Sequence, residues 1–263
     1  MYEKIFTISA VLFQIVILSI HLFISGKTLR RYRKTITPVF LSFTFVLWLF
    51  TDLYWLTFDL MRPETRMPFA ANEIGEAAFF LTLAATIGTG VSYDVRIAKK
   101  QAVGAVLFAA CNTALWIGWS GEMLQDVFIG LVYGLLLYTV VCSLRTEQLV
   151  TAIEWVLLAL LCTALIATEA ATFFVASNLK IMFDTAGYLL LVLGIVFWIV
   201  KLYLVWKNEP LANSHICTVC SLLTWAITAK YMSEGNWYLF FMSIETLCIP
   251  LLYLSVRKAV ENI

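Results

Sequence analysis

Residues 43–60 read "FTFVLWLFTDLYWLTFDL", with two charges in eighteen positions, Asp52 and Asp59. The run is too long for a barrel strand and lacks strict alternation, so it reads as a helix. At 1.5 Å per residue it extends about 27 Å, close to the ~30 Å of bilayer hydrocarbon. On that helix Trp48, Asp52, Trp55 and Asp59 follow the spacing i, i+4, i+7, i+11 and share one face. An ionised Asp52 turned to lipid would cost at least about 2.5–3.5 kcal/mol. The face must therefore look onto other helices or a wet cavity.

The rest of the chain has the same character. It has 263 residues, 62% hydrophobic and 13% charged, with mean hydropathy +0.88. Soluble domains carry about 45–50% apolar and about 25% charged residues, so the solvent here is lipid. The net charge of +1, with no basic arm or acidic tail, gives nucleic acid no purchase. The first 25 residues hold a long apolar core without a small-residue cleavage site and read as a retained span rather than a signal peptide.

Apolar runs suggest about nine transmembrane helices, near 5–25, 39–60, 72–92, 102–119, 126–144, 150–174, 185–206, 214–232 and 237–256. Sorting Lys and Arg by side tests that number. One side receives Lys27, Arg30, Arg31, Arg33, Lys34, Arg96, Lys99, Lys100, Arg145, Lys201, Lys207, Arg257 and Lys258. The other receives Lys4, Arg62, Arg66, Lys180 and Lys230. The asymmetry fits nine spans, with the N-terminus outside and the C-terminus in the cytoplasm. An eight-span arrangement with one re-entrant segment is the rival. Connections are short, so residues 1–263 read as one transmembrane domain without a soluble one.

The opening helix runs into "MRPETRMPFAANEIGEAAFF", residues 61–80. Pro63 and Pro68 stop it. Asn72 reads as an N-cap, with Glu73 and Glu76 in the first turn of the next helix, where the dipole favours acids. From Asp52 to Glu76 there are five acids and two bases, a local net charge of −3. One reading is an outward-facing vestibule lined by Asp52, Asp59, Glu73 and Glu76. Trp48 and Trp55 would stack there on an organic cation, and Asp52 would carry a proton. The simpler reading has Arg62 and Arg66 forming structural ion pairs with Asp59, Glu73 or Glu76.

Elsewhere, Glu245 lies two turns into the last span with Pro250 five residues on, a pattern seen in transport helices. Glu154 reads as snorkelling to the interface, and Glu169 as a candidate for the outer carboxylate group. Lys201 and Lys230 read as snorkelling lysines at span ends. His21 reads as a packing residue and Asn112 as an interhelical hydrogen bonder. The Cys217-x-x-Cys220 pair near His215 offers too few ligands for a metal site and sits on the reducing side for a disulfide exchanger.

No zinc-protease, nucleophile-elbow, Walker or dinucleotide motif is present. No catalytic residue, metal or cofactor is assigned. The leading expectation is a multi-pass protein of a bacterial-type inner membrane that binds or transports a small cationic solute or a proton. Asp52, Asp59, Glu73, Glu76 and Glu245 would serve it, with Trp48 and Trp55. The alternatives are a sensor or accessory subunit and a lipid-modifying enzyme with carboxylate acid–base chemistry. The sensor would meet a protein partner through the basic loops "KTLRRYRK" (27–34) and "RIAKK" (96–100).

Overall fold

The computed structural model describes residues 2–32, 35–61, 69–91, 96–208 and 212–261. Among these the secondary structure is α1 (Tyr2–Arg31), α2 (Thr37–Met61), α3 (Phe69–Gly90), α4 (Lys99–Ser120), α5 (Met123–Thr146), α6 (Ala152–Thr172), α7 (Ser177–Asn208), α8 (Ala212–Tyr231) and α9 (Gly235–Glu261). No strand occurs among the described residues. Seven of the helices, all but α3 and α8, are long and apolar enough to cross a membrane. Their outward faces carry large apolar side chains such as Phe23, Phe50, Leu107, Leu131, Leu160 and Leu193. Only lipid can solvate such a belt. The chain is a multi-pass helical membrane protein.

The expectation of about nine spans meets a distinction at α8. Seventeen of its twenty residues are buried, and it packs on α9, α7, α5 and α3. A helix enclosed by protein faces no lipid, so its composition answers to its neighbours rather than to hydrocarbon. That is why α8 tolerates Ser, Thr, Asn and His. Its hydroxyls donate one turn back: Thr218 to Ser214 O at 2.9 Å, Ser221 to Cys217 O at 2.7 Å, Thr224 to Cys220 O at 2.7 Å. Each of these hydroxyl hydrogens thus finds an acceptor in the dry interior. Trp225 Nε1 donates to Leu191 O of α7 at 2.9 Å. Gly194 makes that approach possible, since a Cβ there would overlap the Trp225 indole.

Helices α1, α2, α3 and α9 gather on one side of α8, and α4 to α7 on the other, with α3 also packing on α5. Successive helices are joined by short connections and alternate in direction. One end of the bundle holds the start of α1 and the turn from α8 to α9. The opposite, basic end holds Arg30, Arg31, Lys99, Lys100, Lys207 and Lys258. Helices overrun the apolar runs that announce them. α7 has 32 residues, about 48 Å of helix, and extends well past the hydrocarbon at its ends. α6 opens on a capping box in which Thr151 and Glu154 satisfy each other's backbone N–H groups. α3 starts at Phe69, earlier than expected. Asn72 is therefore inside the helix rather than capping it, and Glu73 and Glu76 sit beyond the first turn.

Candidate functional site

Four helices bring charged side chains together inside the end opposite the basic one. Asp52 lies nine residues before the end of α2, Glu76 seven residues into α3, and Glu245 ten residues into α9. At 1.5 Å per residue these depths are about 10–15 Å from their helix ends. The fourth element is α8, whose last two residues are Lys230 and Tyr231. Lys230 Nζ sits 3.0 Å from Glu245 Oε2, with the Glu245 side chain 0% and the lysine side chain 18% exposed. The Tyr231 hydroxyl donates to Glu76 Oε2. Asp52 is within electrostatic reach of Lys230, Glu245 and Glu76, and Tyr238 of α9 lies within reach of all four. Gln14 of α1 borders Glu245.

The pairing of Lys230 with Glu245 follows from helix geometry. Counted from the helix ends, the two Cα atoms differ in depth by about 13 Å. Side chains tilt toward the N-terminus of their own helix, so Lys230 leans down into the bundle while Glu245 on antiparallel α9 leans up. The long lysine stem closes the remaining gap. Lys230 thus turns inward and does not snorkel to the membrane edge, correcting the sequence expectation.

Asp52 Oδ2 is buried without a hydrogen-bond partner among the described residues, whereas the Gln14 side chain hydrogen-bonds Glu245. In a native interior most such atoms find partners, so an orphaned carboxylate oxygen inside a charged cluster marks a strained or functional site.

The remaining candidates are distributed differently. Glu73 accepts a hydrogen bond from Gln125 Nε2 of α5 at 2.5 Å. The side chain of Asp59, together with Arg62 and Arg66, lies outside the described residues, so the expected ion pairs of those arginines do too. Trp48 is 3% exposed and packs on Phe79 with ring centroids 4.7 Å apart. Trp55 belongs to a small apolar group with Val11, Leu56 and Met242, beside Tyr238. Glu169 stands apart from the cluster, against Gly187 of α7 and near Asp184 and Lys180.

Two further expectations change. Lys201 pairs with Glu154 at 2.7 Å and donates to Leu149 O at 2.9 Å, so both groups are tied down rather than snorkelling. Asn112 Nδ2 bonds Phe108 O of its own helix at 2.9 Å instead of a neighbour. Cys217 and Cys220 are free thiols in the packed interior of α8. Sequence reasoning overlooked Lys230, Tyr231, Tyr238 and Gln14 as members of the cluster. One signal for the lysine exists: a Glu two turns inside a span requires a base or a proton at its own depth.

Compared with protein-family models, characterised proteins and solved structures, the chain matches none.

Proposed function

We propose that this protein takes up and passes protons through Asp52, Glu76 and Glu245, and couples them to the binding or movement of a small cationic solute. The observation that carries the reading is the charge balance of the interior. Among the described residues, three carboxyl groups share it with one amine, Lys230. One ammonium offsets one carboxylate. An uncompensated carboxylate at that depth costs several kcal/mol, so the other two acids require a positive partner. A proton is the smallest such partner. A metal ion is a poorer one, because no group of three or more His, Cys, Asp or Glu among the described residues is arranged to hold it. Asp52 Oδ2, without a partner among the described residues, is an acceptor that a proton or a donor solute would satisfy. The lipid-modifying alternative is weaker, since the large cavity between α4 and α6 is lined by no carboxylate. A cell-membrane location with the basic end in the cytoplasm belongs to the same proposal.

The test is a proteoliposome assay with an internal proton-sensitive dye and an imposed proton gradient. The parent is expected to dissipate the gradient faster than protein-free vesicles, and Asp52→Asn to fall to the protein-free rate. Equal flux from parent and Asp52→Asn removes the proposal.

A further inference from the structure

Helices α4 and α6 approach at the end opposite the basic one, where a Cβ on Gly118 would lie 3.3 Å from the Phe173 ring. Along the rest of their length they flank a cavity of about 660 Å³, backed by α5, by Trp198 of α7 and by Thr224 and Trp225 of α8. That volume suits a small organic molecule or a single hydrocarbon chain, being within the usual range of ligand sites. The shoulders of the cavity are lipid-facing. Val103, Val106 and Leu107 on α4, and Val156 and Leu160 on α6, are all exposed. Whatever enters sideways between them comes from the bilayer.

The mouth at the basic end has polar character of one sign. Lys100, the second residue of α4, lines it together with Trp155, the fourth residue of α6. Both helices begin at this end, so the ammonium and the indole are at similar depth, near the headgroup boundary. The α4 N-terminus adds the positive end of a helix dipole. Trp155 Nε1 is buried and has no acceptor among the described residues. The neighbouring acid, Glu154, is already engaged by Lys201 at 2.7 Å and by the Thr151 backbone N–H at 2.8 Å. It therefore does not repel an anion.

We infer that the cavity between α4 and α6 holds one acyl chain of an anionic phospholipid, with its phosphate at Lys100 and an ester carbonyl accepting from Trp155 Nε1. An apolar chamber open to lipid, a cation at its rim and an idle indole donor beside it match the tail, phosphate and ester of such a lipid. The site is separate from the carboxylate cluster and does not depend on its proposed role.

Tryptophans 155, 198 and 225 line the cavity and provide the readout. Purified protein in detergent micelles is titrated with phosphatidylglycerol carrying bromine midway along its acyl chains, and in parallel with brominated phosphatidylcholine. Saturable fluorescence quenching is expected, with about fivefold tighter apparent binding of the anionic lipid, the contribution of one basic residue near a lipid surface. Lys100→Gln, at an exposed position, is expected to abolish the preference and keep the quenching. Gly104→Phe projects a ring from a lining position where a Cβ meets nothing within 4 Å. It is expected to remove the saturable component while leaving the elution profile unchanged. Non-saturable quenching of the parent, or a preference that persists undiminished in Lys100→Gln, would overturn the inference.

Discussion

Replacing Lys230 by methionine keeps the length of the side chain and removes the one amine that the described residues bring to the Asp52–Glu76–Glu245 cluster. At the observed 3.0 Å separation from Glu245, and an effective dielectric of about 20, the attraction lost is about 5 kcal/mol. Breaking a buried pair from one side costs about 3–5 kcal/mol, because the surviving charge stays in the interior without compensation. For a chain of this size that is a fall of roughly 10 °C in the melting midpoint. Glu245→Gln is expected to be milder. It leaves Lys230 beside Glu76 and Asp52 as substitute partners, and the lysine side chain is 18% exposed. The double variant Lys230→Met/Glu245→Gln should recover much of the loss, since it buries two neutral groups. Thermal unfolding of all four proteins in one detergent, followed by intrinsic fluorescence, completes the double-mutant cycle. Lys230→Met melting with the parent, or a double variant equal to the sum of the singles, would refute an energetically coupled buried pair.

Tyr231→Phe deletes the donor that meets Glu76. It should lower stability by about 1.5–3 kcal/mol, the worth of a hydrogen bond to a charged group, as read by the same melts. Gly194→Ala should cost about 1–3 kcal/mol through overpacking against Trp225. A parent-like melting point there would contradict the close contact of α7 and α8. Glu154→Gln should cost about 1 kcal/mol, as it weakens the cap on α6 and frees Lys201. A brief treatment with an apolar maleimide should label exposed Cys111 and spare buried Cys142, Cys217, Cys220 and Cys248, as counted by mass spectrometry.

How far the sequence reaches differs from residue to residue. α2 is plain in "FTFVLWLFTDLYWLTFDL", because hydrocarbon thickness sets the length of an apolar run whatever it packs against. α8 is hard to read, since enclosure by four other helices relieves it of the hydropathy that marks a span. α3 is misjudged at its start, because "AAN" before Glu73 suits an N-cap as well as a helix interior, and one residue's local preference is worth little against tertiary packing. For the site, the i, i+4, i+7 pattern put Trp48, Asp52 and Trp55 on one face. It did not say that Phe79 would cover Trp48. Glu73 and Glu76, three apart on α3, look like a unit, yet a modest angular difference sends one to Gln125 and the other to Tyr231.

From the amino acids alone came the class of the molecule, a helical chain that crosses a bilayer many times, and the recognition that Asp52 and Glu245 must be sheltered from lipid. Both follow from transfer free energies, which belong to each residue irrespective of its neighbours. Which acids share a chamber, and that Lys230 pairs with Glu245 inside it, emerged only with the helices packed. Those facts depend on the rotation and relative height of α2, α3, α8 and α9. Such quantities arise from side-chain interlocking across helices distant in sequence, on which a single helix's periodicity is silent.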